Sequence, residues 1–382
     1  MVRKFPDGFY FGAATSAYQV EGGIENNDWA EEARKGTVPV CGKTAEHYTK
    51  FKQDFAIAKM LGHNAHRLSV EWARIEPVQG RFNQKEIEHY RTVLRELKSQ
   101  GMEPFVTLWH FTLPDWLSKK GGVLSPSFPF VFSKYCRHVV EKLGAEADFW
   151  IIMNEPVVFA SNGYNRGVWP PFKKNVLSFL RVQSSLVKAH REAYRQIKKA
   201  KEFVQVGIAK NNIDFCGGNF WSSIFAGFLR WFWNKRFLNS IRGETDFIGI
   251  NFYFHKKFGD DKHHEKSDMG WDIYPAGLES VLVEAKSYEK PIYVTENGLA
   301  DAKDLRRGQY IIEHVAAVEE AIKKGVDVRG YFYWSLLDNY EWAEGFGPRF
   351  GLVETDYETG KRTVRNSAEV YKHLINSVKN SR

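Results

Sequence analysis

Phe149-Trp150-Ile151-Ile152-Met153-Asn154-Glu155-Pro156 and Ile292-Tyr293-Val294-Thr295-Glu296-Asn297-Gly298 are the two stretches whose reading decides the fold. Each is an apolar run of strand length that carries one glutamate at its end and is then broken by proline or glycine. Six more strand-like runs follow the same rhythm: Phe9 to Ala14, Ala65 to Val70, Pro104 to His110, Val204 to Ala209, Phe247 to Tyr253 and Val328 to Trp334. The segments between them are amphipathic. Tyr48, Phe51, Phe55 and Ala58 form one helical stripe, and Ile87, Tyr90, Leu94 and Leu97 form another. Gly62, Gly101, Gly144 and Gly325 stand where a helix C-terminus favours glycine, each a few residues before the next strand. Eight β-then-α units predict an α/β fold, a (β/α)8 TIM barrel that spans residues 1–382 as a single domain.

A barrel of this kind builds its active site from the loops at the carboxyl ends of its strands. The predicted ends carry Arg67, His110, Asn154, Glu155, Tyr253, Glu296 and Trp334. Glu155 and Glu296 would close strands four and seven, facing one another across the mouth. Two such carboxyl groups are what cleavage of a glycosidic bond needs, one to give a proton and one to attack or to activate water.

Bulk properties narrow the alternatives. A hydrophobic fraction of 43% with 26% charged residues is globular composition. The net charge of +8 is spread along helix-like stretches such as Arg191 to Lys201, which reads as a solvated outer face and not a nucleic-acid site. Cys41, Cys136 and Cys216 are odd in number and far apart, so neither a disulfide framework nor a zinc site is indicated, and a reducing, cytoplasmic setting fits. Phe5-Pro6-Asp7-Gly8 interrupts any signal-type apolar core, and no uncharged apolar run is long enough to span a membrane. No phosphate-binding or dinucleotide fingerprint follows a strand, so no cofactor is expected. His263 and His264, beside Asp260, Asp261 and Glu265, read as a solvated charged loop and not as a metal site.

With these residues in hand, the chain resembles glycoside hydrolase family 1, the β-glucosidase and β-galactosidase family. The strings that carry the likeness run in order: Phe5-Pro6-Asp7-Gly8-Phe9, Tyr18-Gln19-Val20-Glu21-Gly22, Arg67-Leu68-Ser69, Glu71-Trp72-Ala73-Arg74-Ile75, Asn154-Glu155-Pro156, Asp246-Phe247-Ile248-Gly249-Ile250-Asn251, Thr295-Glu296-Asn297-Gly298 and Trp334-Ser335-Leu336-Leu337-Asp338-Asn339-Tyr340-Glu341-Trp342. The resemblance implies a retaining β-glycosidase, with Glu296 as nucleophile and Glu155 as acid and base, their carboxyls about 5 to 5.5 Å apart. It further implies that Arg67 and Tyr253 hold the nucleophile's charge. Gln19, His110, Asn154, Glu341 and Trp342 would contact the sugar hydroxyls, with Trp334 as stacking floor. Glu341, where the 6-phosphoglycosidase branch has serine, implies an unphosphorylated small-molecule β-glycoside or oligosaccharide. A transglycosylase, or a non-catalytic sugar-binding barrel, is the competing reading on the same scaffold, and a homo-oligomer stays open.

The chain also departs from the family. Trp231 to Gly243 runs almost straight into Asp246, where the family has a longer helical region, and Phe111 and Thr112 replace the usual tryptophan and aspartate. The aglycone site is expected in loops around Phe111, Tyr164 and Trp169. Beside the shortening lies an aromatic stretch, Phe220 to Trp233, expected to be a helix that seals the thinned barrel wall, ahead of a dimer contact, a membrane-surface helix or a pocket for a flat hydrophobic ligand.

Overall fold

The computed structural model describes residues 5–259 and 264–380. All eight expected strands form: β1 (Tyr10–Ala14), β2 (Ala65–Ser69), β3 (Glu103–Thr107), β4 (Phe149–Asn154), β5 (Gln205–Asn211), β6 (Phe247–Phe252), β7 (Ile292–Asn297) and β8 (Val328–Trp334). Each runs parallel to its neighbours, and β8 pairs back to β1 with Ala14 opposite Trp334, so the sheet closes. The architecture is the expected (β/α)8 barrel.

Aromatic side chains fill the barrel near the amino ends of its strands. Phe105 stacks on Phe149 with ring centroids 4.2 Å apart and meets Phe332 at 4.8 Å, while Phe247 and Tyr293 close the ring at 5.2 Å. A side chain at Gly207 would reach within 2.5 Å of the Phe247 ring, so the layer leaves no room for one. This plug excludes water from one end and leaves the polar strand ends to the other.

The main helices outside are α1 (His47–Met60), α2 (Gln84–Ser99), α3 (Phe128–Leu143), α4 (Val176–Ala200), α5 (Phe220–Arg230), α6 (Pro275–Ala285), α7 (Arg307–Lys323) and α8 (Asn366–Asn380). The stripe Ile87, Tyr90, Leu94 and Leu97 of α2 is fully buried, as its spacing predicts. Of the four helix-ending glycines, Gly62, Gly101 and Gly325 take the left-handed conformation. Gly144 does not: its φ is −69°, and a Cβ there would meet the Val140 carbonyl oxygen at 2.5 Å, so close approach is what requires glycine.

The region between β5 and β6 differs from expectation. After β5 the chain adds a short strand, Asp214–Gly217, which pairs with His255–Phe258 beyond β6. It then forms α5, a turn over Trp231–Lys235 and a short helix, Arg236–Ser240. The wall is covered by Phe237 and Leu238, with Phe232 and Trp233 packed against the core. Most of the aromatic stretch does no sealing, because Phe220, Trp221, Ile224, Phe225, Phe228 and Trp231 face outward.

Irregularities in the ladders aim the strand ends, among them a slip where β8 meets β7 between Tyr331 and Tyr333. The register slips between Ile151 and Asn154 where β4 meets β5, and between Ile250 and Asn251 where β6 meets β7. Strict alternation after Phe149 and Ile151 would send Met153 inward, but Met153 packs in the outer core and Asn154 turns to the mouth. Beyond β7, Gly298 passes so close to β8 that a Cβ would lie 1.8 Å from the Trp334 carbonyl oxygen. Gly298→Ala therefore forces these two strand ends apart and lowers stability by about 1–3 kcal/mol, measured by urea denaturation; an unchanged midpoint would show that this contact is slack.

Candidate active site

Arg67 sits two residues before the end of β2, buried, with its guanidinium reaching three other strands. Nη1 donates to Glu296 Oε1 at 2.5 Å and to the Thr295 carbonyl at 3.1 Å, Nη2 to Asn154 Oδ1 at 2.8 Å, and Nε to Thr107 Oγ1 at 3.1 Å. The other oxygen of Glu296 accepts from the Tyr253 hydroxyl at 2.8 Å. A charged donor and a phenol donor both favour carboxylate over carboxylic acid.

Glu155 begins where β4 ends. Its backbone is left-handed, with φ 42°, its N–H donates to the Ala209 carbonyl at 2.8 Å, and Pro156 opens a short helix directly after it. The side chain accepts from Asn251 Nδ2 at 2.8 Å, and the same amide reaches Asn154 Oδ1 at 3.1 Å. Asn251 Oδ1 in turn accepts from Thr295 Oγ1 at 2.7 Å. One amide therefore ties the Glu155 strand end to that of Glu296.

The two glutamates differ in what offsets their burial. Burial pushes both carboxyls up, but Arg67 and Tyr253 draw Glu296 back, whereas Glu155 also feels the negative Glu296 and rises to about 8. Glu341 is raised to about 8 as well, by burial and by the two other acids. His110 is held well below its ordinary range by burial and by Arg67, so its ring is neutral. With Asn154 Nδ2 donating to its Nε2 at 3.0 Å, the ring proton belongs on Nδ1, which is buried without a protein partner among the described residues.

A cavity of about 410 Å³ opens above these groups. Nine of the ten residues expected at the site line it: Gln19, His110, Asn154, Glu155, Tyr253, Glu296, Trp334, Glu341 and Trp342; Arg67 lies beneath. Gln19 is fixed at both ends of its amide, accepting from Ser16 Oγ at 2.6 Å and donating to Asn339 Oδ1 at 2.9 Å and the Tyr340 carbonyl at 2.8 Å. Glu341 Oε2 is within 3.4 Å of the same nitrogen. Trp334 and Trp342 each lie nearly parallel to His110 with centroids 6.0 Å away, and Trp334 also caps the inner aromatic layer. Phe111 and Trp169 line the entrance, but Tyr164 is buried behind it and does not. Thr112 faces away from the cavity and donates to Glu71.

The glycosyl hydrolase family 1 model matches residues 1–215 and 254–380. The chain belongs to glycosyl hydrolase family 1. It is similar to β-glucosidase A of Thermotoga maritima, 32% identical over 437 aligned positions that cover 98% of each chain. It is similar also to a β-galactosidase of Pyrococcus woesei, 30% identical with 97% of each covered. Among solved structures, a β-glycosidase from Pyrococcus horikoshii superposes with a TM-score of 0.92 at 36% identity, covering 99% of this chain and 96% of that one. A family 1 β-glucosidase from Thermotoga maritima in complex with isofagomine lactam superposes with a TM-score of 0.93 at 31% identity, covering 99% of both. The family 1 member lacks a family match over residues 216–253, the shortened and aromatic region, and Tyr253 is the last residue of that gap.

Three features were not read from the sequence. Asn251 is one, although an amide at a strand end beside two acids is a signal for a bridging donor. Lys210 is buried behind β5 and is drawn down to about 7 by desolvation, with Trp233 beside it. Away from the cavity, Asp214 accepts from His255 Nδ1 at 2.8 Å and from Cys216 Sγ at 3.3 Å, and these ligand-type atoms lie within 4.8 Å of one another. Of the charged loop, Asp260, Asp261 and His263 lie outside the described residues, and His264 packs on Tyr274 at 5.2 Å. The raised Glu155 gives a pH prediction. A reaction that draws its proton from the acid form of Glu155 loses kcat/KM as pH rises through about 8; Glu155→Gln should then remove that alkaline limb, and a limb that persists in the variant would assign it to another group.

Proposed function

We propose that this family 1 enzyme hydrolyses terminal β-D-glycosyl residues of unphosphorylated small glycosides by double displacement. In the first step a Glu296 oxygen attacks the anomeric carbon while Glu155 gives its proton to the leaving oxygen, producing a glycosyl ester and a free alcohol. In the second, Glu155, now carboxylate, takes a proton from water as that water attacks the anomeric carbon. Glu296 leaves as carboxylate and the sugar departs with its β configuration. The observation that carries this reading is the contrast between the two acids: one is bound to a guanidinium and a phenol, the other to an amide alone.

Arg67 and Tyr253 act on the nucleophile, holding its charge and leaving one oxygen aimed at the sugar. Gln19 and Glu341 grip vicinal hydroxyls from one side of the cavity, and His110 and Asn154 from the other. Trp334 and Trp342 offer apolar faces to the C–H side of the ring. Glu341 stands where the 6-phosphoglycosidase branch has serine, which supports an unphosphorylated sugar. Hydrolysis is favoured over sugar binding alone because both glutamates are present. The relatives named for β-glucosidase and β-galactosidase activity support a glucose-like or galactose-like glycone.

All of residues 1–382 would serve this reaction as one catalytic domain. No helix among the described residues is long and apolar enough to cross a membrane, and the three cysteines are unpaired, which supports a reducing compartment such as the cytoplasm.

Glu296→Ala should lower kcat on a chromogenic β-glucoside or β-galactoside by about 10⁴-fold or more. Azide added to this variant attacks from the vacated face and yields the α-glycosyl azide, whereas azide with Glu155→Ala yields the β-glycosyl azide from the ester. The opposite pairing of variants and anomers, read by NMR, would exchange the two roles, and full activity in Glu296→Ala would remove the assignment.

A further inference from the structure

The outward side of α5 has no counterpart elsewhere on the described surface. Phe220, Trp221, Ile224, Phe225, Phe228 and Trp231 are 71%, 77%, 53%, 50%, 55% and 47% exposed, and Ala226 is the one buried residue of the helix. Their spacing puts them on one stripe of consecutive turns. At the usual size of such side chains the stripe exposes roughly 700 Å², beyond the ~300–600 Å² of the largest patch on a typical monomer. The helix is well made: Asn219 caps it in a reciprocal capping box with Ser222, Arg230 ties it to the Phe215 carbonyl at 2.7 Å, and Phe225 packs on Phe258 at 5.1 Å. It is a deliberate ridge and not a frayed end.

Charge says what covers it. Residues 216–241 contain Arg230, Lys235 and Arg236 and neither aspartate nor glutamate, and the strand His255–Phe258, against which α5 packs, adds the exposed Lys256 and the half-buried Lys257. Among the described residues the facing carboxylates are Asp214, buried in its bond to His255, and Glu284, which takes Asn234 and Lys235. A second copy of the same convex ridge would bring these cations against their own images. An anionic, fluid surface meets both the apolar stripe and its basic margin, and the chain's net charge of +8 draws it there.

From these observations we infer that α5 is a membrane-surface helix, laying its Phe220 to Trp231 face into the headgroup boundary of a bilayer that carries anionic lipid. With 11 residues it lies on the bilayer and does not cross it. The two tryptophans, near the ends of the stripe, suit the polar–apolar boundary. The short strands that hold α5 prolong β5 and β6 beyond the rim where the cavity opens, so docking brings the cavity mouth to the lipid side of the molecule. The segment falls within residues 216–253, which the family match omits.

The test is co-sedimentation of the full chain with vesicles of phosphatidylglycerol and phosphatidylcholine, and with vesicles of phosphatidylcholine alone. The wild type should pellet with the anionic vesicles, less so at high salt, and weakly with the neutral ones. The double variant Trp221→Glu, Ile224→Glu, altered only at exposed positions, should bind at least about tenfold less while hydrolysing a soluble chromogenic glycoside at the wild-type rate. Absence of pelleting in the wild type, or equal pelleting of the double variant, would overturn the inference. So would a wild-type dimer that the double variant converts to monomer without any vesicle binding, which would assign the ridge to a second copy.

Discussion

The buried guanidinium of Arg67 is the contact on which the rest of the site depends. A charge this deep is tolerated only when its donors are used, and here they go to Thr107 on β3, Asn154 on β4, and Thr295 and Glu296 on β7. Because Arg67 itself rises from β2, one side chain fixes the relative height of four strand ends. The aromatic layer below keeps water from the opposite side, which strengthens each of these contacts.

That arrangement gives two identical side chains different surroundings. Glu296 and Glu155 have the same chemistry in water, and both are driven toward the neutral form by burial. The cation and the phenol sit on one of them only. Asn251 then joins the pair with an amide, which orients both acids without adding charge. Each acid sits just past or within an irregular stretch of ladder, β4 against β5 and β6 against β7, and the left-handed backbone of Glu155 belongs to the same device.

Much of this was legible in the sequence because it rests on local rules. Strand-length runs ended by Asn-Glu-Pro and Thr-Glu-Asn-Gly gave the barrel order, and the buried stripe of α2 gave one of its covering helices. What escaped were effects that only closure creates. Asn154 is legible at the mouth from its place at the strand end, but the register slip that turns it there, with Met153 outward, is set by pairing with another strand. Gly144 looks like a left-handed cap, yet it is required by a carbonyl one turn away. The Phe220 to Trp233 stretch was read as a seal because aromatic residues are usually inside; a short helix over a wall already covered by Phe237 and Leu238 has nothing left to seal. Asn251 and Tyr253, close downstream of this segment, have positions that follow from the strand at whose end they stand.

The central claim is that Glu296 becomes covalently bonded to the sugar. Incubation with a 2,4-dinitrophenyl 2-deoxy-2-fluoro-β-glucoside slows both steps while keeping a good leaving group, so the ester accumulates and the protein's mass rises by one fluoroglycosyl group. Peptide mapping by mass spectrometry should find that group on Glu296. Its appearance on Glu155 or Glu341, or burst release of dinitrophenol without any bound sugar, would contradict the account.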